Sequence, residues 1–245
     1  PDGTLDRASM QTIINPDDLN AVEAALSLKD ELGCKVIAFT MGPPPAEGML
    51  RELMAMGVDE GVLITAREFG GSDTYATSQI IAAAIDTYGV EADDIILAGR
   101  QAIDGDTAQV GPIISEFLDL PQITCATELP EINEGIASVT RETPDGTEKV
   151  RVSLPALISV SKTKYELRYE SLGGIVRSNR REYPVLTLKD LPSLERSQIG
   201  HSGSPTVTRE TFTPEFSSEV IMLDEGSMKD NAARLASVFH SAGLL

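Results

Sequence analysis

Apolar and polar positions follow two alternating rhythms over the first 150 residues. The first rhythm is helical. Leu19, Val22, Leu26 and Leu32 lie roughly along one face at helical spacing. Asn15-Pro16-Asp17-Asp18 supplies a start for that helix. Asn caps, Pro suits the first helical position, and the acids complement the positive end of the dipole. Gly33 is placed to end it. The second rhythm is the short, unbroken apolar run. Residues 35–40 (KVIAFT) read as a buried strand, and the Met41-Gly42-Pro43-Pro44-Pro45 that follows cannot be helix interior. A helix is predicted from about Ala46 to Met56, with Met49, Leu50 and Leu53 on one face and Gly57 at its end. Val62-Leu63-Ile64 is the next strand. Gly70-Gly71-Ser72-Asp73 makes a loop and a cap for a helix carrying Ile80, Ile81, Ala84, Ile85 and Tyr88, which ends at Gly89. Residues 94–99 form a strand without polar alternation, as expected in a sheet covered on both faces. A further helix is predicted from about Thr107 to Leu118, with Val110, Ile113, Ile114, Phe117 and Leu118 on its apolar face.

Strands alternating with helices predict an α/β fold: a doubly wound, mostly parallel sheet with right-handed crossovers. The pattern changes after Pro121. Residues 136–142 and 148–152 flank Thr143-Pro144-Asp145-Gly146, which predicts a β-hairpin insertion. Leu157-Ile158-Ser159-Val160 returns to a buried strand. Beyond Ser161 the pattern weakens. Residues 204–221, rich in Thr, Ser and Pro, read as an extended C-terminal arm, and Ala232, Leu235, Ala236 and Phe239 mark a final amphipathic helix. The expected division is an α/β domain over 1–185 and an arm with its helix over 186–245.

Charge narrows the partners. The 245 residues carry a formal charge of −18, from 20 Lys+Arg against 38 Asp+Glu. Nucleic acid and anionic membrane surfaces are themselves negative, so an electrostatic grip on either is disfavoured. Small anions need only a local site. No apolar run approaches the roughly 18 residues of a membrane span. Trp is absent and aromatics are 4%, which argues against stacking platforms for single strands. Cys34 and Cys125 belong to no metal or CxxC spacing, so a reduced cytoplasmic setting is expected. The charge is also uneven. Residues 161–181 hold six basic residues (Lys162, Lys164, Arg168, Arg177, Arg180, Arg181) and two acids (Glu166, Glu170). Within this basic island, Tyr169–Ile175 offers apolar residues on a loop and short helix. A solvated basic face is the plain reading; apolar anchors ringed by charge also suit a transient docking surface.

Open α/β sheets bind ligands at the carboxyl ends of their strands. Two strand ends here carry unusual loops. The sharper is Gly99, Arg100, Gln101, Ala102, Ile103, Asp104, Gly105, Asp106, Thr107, Ala108, Gln109, Val110, a strand running through glycines and polar residues into a helix. Amides at a helix N-terminus suit phosphate or pyrophosphate. Asp104 and Asp106 would repel a phosphate that they faced, so they either cap the helix or bind ribose hydroxyls. Arg100 either neutralises phosphate, approaches an electron-rich ring, or stands solvated at the strand end. In the second loop, Met41 either packs on a planar ring or is a core residue beside the Gly42 turn. Asn15 is either an ordinary cap or a contact to a neighbouring strand end. GxGxxG and GxxxxGK[ST] are both missing, which disfavours nicotinamide-type and Walker-type binding. No metal-spaced cluster or Ser/His/Asp set is visible. A nucleotide pocket without acid–base machinery suits electron transfer better than hydrolysis.

The run from Ala98 to Pro112 (AGRQAIDGDTAQVGP) resembles the nucleotide-binding signature of the electron transfer flavoprotein β subunit. The likeness runs nearly the whole chain. It includes Ile14–Asp17, Thr40–Pro44, Ala55–Asp59, Asp73-Thr74, Gly203–Thr206 and Phe212–Pro214. A second signature is matched by Val139, Arg141, Asp145-Gly146, Glu148, Val150 and Pro155–Ser159, with Pro144 shifting its register by one residue. The resemblance implies an adenine-nucleotide α-hydrolase-like fold and an obligate α subunit that carries the electron-transferring FAD. It implies a β site holding either a structural AMP or, in electron-bifurcating members, a second FAD. Position by position, that site comprises Asn15, Pro16, Asp17, Asp18, Met41 and Gly99 through Val110. The docking loop for acyl-CoA dehydrogenases falls on Arg168, Tyr169, Leu172 and Ile175, with Leu172 as its anchor. The family's first strand and its Val-Lys-Gln-Val-Pro loop are absent, so either the sequence is a fragment, the favoured expectation, or the protein has lost part of its site.

Three readings follow. In the favoured one the site binds FAD, accepts electrons from NADH and divides them between two acceptors. The Asp-Gly-Asp-Thr-Ala-Gln-Val-Gly form of the loop resembles bifurcating members, and Gly105 and Ala108 leave room for a flavin dinucleotide. In the second, AMP is structural and the chain is a scaffold that docks dehydrogenases. In the third, the chain is a stand-alone nucleotide sensor, which would need neither docking loop nor arm.

Overall fold

The computed structural model describes residues 13–161, 166–208, 212, 220, 222–224 and 226–244. Helix α1 spans Pro16–Leu32 and stops at Gly33, whose φ of 72° is left-handed. Strand β1 (Ile37–Met41) leads through a short 3-10 turn to α2 (Glu47–Met56) and β2 (Glu60–Ile64). Helix α3 (Thr74–Tyr88) is capped by Asp73, which accepts from the Ala76 amide at 3.0 Å. Then come β3 (Ile95–Gly99), α4 (Val110–Phe117) and β4 (Gln122–Ala126). Strands β5 (Glu131–Asn133), β6 (Ile136–Thr143), β7 (Gly146–Ser153) and β8 (Ala156–Val160) follow. Helix α5 is Leu172–Ser178, β9 is Val185–Leu186, and α6 is the single turn Gly200–Gly203.

The α/β class and its mostly parallel character are observed. The pairing, however, forms two sheets rather than one. β1-β2-β9 is parallel throughout. The second sheet has the order β3-β8-β4-β6-β5; its first three strands are parallel, and β6 pairs antiparallel with β4, β5 and β7. Among the described residues β1 and β3 each pair on one side only. Strand β3 is therefore half-buried, not covered like the interior strand β8, which is buried at every position. Apolar side chains join the two sheets: Phe39 of β1 and Ile96 of β3 pack into one cluster around Ala82, Ile85, Ile114 and Leu157. The hairpin turns at Pro144-Asp145, with Thr143 opposite Gly146 and Arg141 opposite Glu148.

Some expected positions differ. Leu32 is exposed, because α1 buries Ala21, Ala24, Leu26 and Leu28 instead. Phe117 is 39% exposed and meets Tyr75 edge-on. Strands β4, β5 and β9 were too short or too polar to register as apolar runs. The expected boundary at 185/186 falls inside β9. Leu186, Leu188, Leu191, Leu194 and Ile199 pack with Ile64, Phe69 and Ile80, which carries the first compact unit to Thr208. The second unit begins at Arg209. Its described helix, α7 (Met228–Ser241), starts on a reciprocal Ser227–Asp230 cap and leaves its stripe uncovered, with Leu235 and Phe239 exposed. Most of the expected arm, 209–211, 213–219 and 221, lies outside the described residues, as do Lys162 and Lys164.

Candidate nucleotide site and docking segment

Strand β3 delivers Gly99 to the carboxyl edge of its sheet, and residues 102–109 leave as an exposed loop. Asp106 and Ala108 take left-handed φ values of 50° and 53°. That conformation keeps a helix from starting at Thr107, so α4 begins at Val110 instead. Its N-cap position is Gln109, not Asp104 or Asp106. Asp106 is turned back to Gln101, whose side-chain amide donates to it. Thr74 at the start of α3 donates to the Gln109 side chain at 3.1 Å.

The first turn of α1 holds the other end of the loop. Asn15 occupies the N-cap position, but its side chain does not cap. Its Nδ2 donates to the Gln101 carbonyl at 2.7 Å and to Asp18 at 3.1 Å, and its Oδ1 accepts from the Ile103 amide at 3.2 Å. Asp18 Oδ1 accepts from the Gly99 amide at 2.7 Å. The approach is close: a Cβ at Gly99 would stand 2.6 Å from Asp17 C and Asp18 N. Asp18 is exposed as a residue, but its carboxyl is turned in against the end of β3. Desolvation there pushes its pKa up, against the lowering pull of the Gly99 and Asn15 hydrogen bonds, and Asp17 adds to the rise. Asp17 Oδ2 is buried without a hydrogen bond, 3.4 Å from Arg100 Nε. Arg100 in turn lines an open cavity of about 310 Å³ with Cys125, Glu142, Thr143 and Pro144.

These features fit a nucleotide. The amides of Thr107, Ala108 and Gln109 have no hydrogen-bond partner among the described residues and precede an eight-residue helix, the arrangement that takes phosphate oxygens. A Cβ at Gly105 would meet nothing within 4 Å, so the loop is open there. Asp17, paired with Arg100, stands at the same edge. Pro16 sits exposed at the start of α1. Met41 ends β1 half-buried against the Ile64–Phe69–Ile80 cluster, a core position beside its turn.

The docking segment is held from two sides. Arg168 was expected to offer its charge outward. Instead its guanidinium points inward to Glu23 at 2.8–3.1 Å and to Asp30 at 3.0 Å, and the Glu23 hydrogen bonds raise its pKa further. Helix α5 packs on α2. Ser171 caps it through the Gly174 amide at 2.9 Å. Any Cβ at Gly174 would fall on the Ala55 carbonyl oxygen. Arg51 of α2 donates to the Ser178 carbonyl. Leu172 is 86% exposed and Tyr169 94%. Ile175 is half-buried; Val176, one turn after Leu172, is the exposed apolar neighbour. Sequence reasoning missed Glu23, Gly174 and Val176. Glu23 had left a signal: Leu19, Glu23 and Leu26 share one helical face, so a charge stood on an apolar stripe.

Comparison with known proteins identifies the family. Residues 2–190 match the electron transfer flavoprotein domain. The acryloyl-CoA reductase electron transfer subunit gamma of Anaerotignum propionicum is 52% identical over 96% of this chain and 89% of its own length. The electron transfer flavoprotein subunit beta of Clostridium acetobutylicum is 42% identical over 96% of this chain and 88% of its own length. The caffeyl-CoA reductase-Etf complex subunit CarD of Acetobacterium woodii is 42% identical with the same coverage. No described helix is long and apolar enough to cross a membrane. With its family model covering most of the residues and its relatives matched nearly end to end, the chain belongs to the electron transfer flavoprotein family, on the β-subunit side.

Proposed function

We propose that this chain is the β subunit of a heterodimeric electron transfer flavoprotein whose Gly99–Val110 loop binds FAD and whose Tyr169–Val176 surface docks acyl-CoA dehydrogenase-type flavoenzymes. The observation that carries the cofactor reading is the loop itself. It presents free amides at 107–109, an open Gly105, and an anchor from α1 that leaves its outer face uncovered. Phosphate oxygens would be taken by the amides. Arg100, beside the open cavity, would face the electron-rich end of the ligand. Bound FAD would supply exchange with NADH and with two acceptors, the bifurcating form of the reaction. The protein's part is to bind and orient it, with no acid or base assigned.

The relatives' names support the partner. Two of them are electron-transfer subunits of CoA-ester reductases. Such a carrier, with two free cysteines, suits a reduced cytoplasmic setting. The test is to co-purify the full-length β chain with its α subunit and count flavin and AMP per heterodimer after acid release. Two flavins are expected. One flavin plus one AMP overturns the FAD reading and leaves a structural nucleotide with a docking role.

A further inference from the structure

Glu23 is a carboxylate on the buried face of α1, 5% exposed. A buried charge persists only when paired. Its main partner lies 145 positions away. The Arg168 backbone amide donates to Glu23 Oε2 at 2.9 Å, and the guanidinium donates through Nε and Nη2 at 2.8–3.1 Å. Ser27 Oγ donates to Oε1 at 3.3 Å. One carboxylate thus grips both the main chain and the side chain of one residue. Four residues further on stands the exposed Leu172. Eight residues back along α1, about 12 Å at the helical rise, Asn15 holds the nucleotide loop.

We propose that Glu23 is the positioning residue of the docking segment: by clamping Arg168 to α1 it fixes where Tyr169 and Leu172 stand relative to the nucleotide loop held by the same helix. The inference rests on the docking reading above. Glu23 is not needed to form α5, which has its own seat on α2 through Gly174, Ala55 and Arg51. Its effect falls on residues 166–171, the approach to that helix. A landing surface held in place before contact does not have to be ordered by the partner, so the clamp acts on how tightly the partner docks.

The experiment uses the holo heterodimer with Glu23→Gln, which keeps size but removes the charge. Three quantities are read: reduction of an acyl-CoA dehydrogenase that the wild-type complex serves, amide exchange by mass spectrometry, and bound nucleotide. The expected result is a KM for the dehydrogenase raised about tenfold with kcat nearly unchanged, the scale of a lost charged hydrogen bond. Exchange over 166–171 should accelerate about tenfold, with 172–178 and 99–110 unaltered and nucleotide retained. Glu23→Asp should restore part of the KM. If Glu23→Gln does not fold, the Glu23→Met/Arg168→Met pair removes both charges without leaving one buried alone, and should show the same KM and exchange. Unchanged KM and unchanged exchange overturn the proposal, as does acceleration spread evenly over the chain. A wild-type complex that reduces no such dehydrogenase defeats the docking reading instead, and exchange over 166–171 still decides the role of Glu23.

Discussion

Two segments meet helix α1: the loop 99–110 at its first turn, and Arg168 beside its middle, at the head of a docking segment that continues onto α2. The loop is held by side chains reaching to backbone. Asn15 and Asp18 supply four hydrogen bonds, one of them to each other, and residues 102–109 are otherwise exposed. The docking segment has contacts of that kind and, in addition, a helix packed against α2. Gly174 lies against the Ala55 carbonyl, Glu23 takes the Arg168 amide, and Arg51 takes the Ser178 carbonyl. The difference follows from what each must meet. A loop that wraps a small ligand gains its remaining order from that ligand. A surface that lands a protein is better fixed beforehand, since ordering it on contact would subtract from affinity.

The sharpest break comes from filling the two close approaches. Gly174→Ala places a methyl on the Ala55 carbonyl oxygen, a backbone atom, so the two helices must move apart to admit it. It should cost about 3 kcal/mol in urea melts, the upper range for overpacking, or unseat α5 outright. Transfer to dehydrogenase should be lost while nucleotide stays bound. Gly99→Ala should do the converse. Its methyl meets the α1 backbone at 2.6 Å, so the first turn moves off β3 at a cost of about 2 kcal/mol. Bound nucleotide should fall, with docking kept. If either substitution removes both activities, the two segments are not separable.

Smaller changes divide the same way. Asn15→Ala removes the two hydrogen bonds that define the loop's path and leaves the Ile103 amide unmet. Nucleotide affinity should weaken by about 1–2 kcal/mol, roughly tenfold in Kd by equilibrium dialysis. Leu172→Ala touches nothing buried. Stability should stay within about 0.5 kcal/mol, while transfer to dehydrogenase weakens by about 1–2 kcal/mol if Leu172 is an interface anchor. Lost nucleotide with intact docking would overturn that assignment.

Much of this contrast was legible in the sequence, but unevenly. Asn15-Pro16-Asp17-Asp18 and Gly33 mark the ends of α1 because caps are local chemistry, and the structure starts and stops the helix there. The 99–110 stretch stands out because glycines and acids between a strand and a helix have few other uses. The start of α4 was misplaced by three residues, since nothing local announces left-handed Asp106 and Ala108. The division into two sheets was not visible, because periodicity reports which face is buried and not which strand lies alongside. The seat of α5 was invisible for the same reason: Gly174 reads as a loop glycine until Ala55, 119 positions earlier, is found against it.

The smallest expected effect concerns acid, and it tests whether the loop's tether is electrostatically tuned apart from the rest. Two aspartates flank the loop and should answer pH with opposite sign. Asp18 has its pKa raised, chiefly by desolvation. Between the ordinary value and the raised one, the folded chain keeps a proton that the unfolded chain has released. Stability therefore falls as pH rises through that interval, and Asp18→Asn should improve relative to wild type across it. Asp73 is the reverse. Burial alone would raise it, but hydrogen bonds from Ala76, Thr206 and Tyr75 together outweigh that and lower its pKa. Its stabilisation is present above the ordinary value and is lost as pH falls through the lowered one, so Asp73→Asn should lose ground to wild type as pH rises. Urea melts of the three proteins from about pH 3 to pH 7 give both differences. Slopes of one sign for both variants would show that the inward turn of Asp18 against β3 does not desolvate it. The anchor of the loop would then be an ordinary surface contact, and the contrast with the packed docking segment would rest on Gly99 alone.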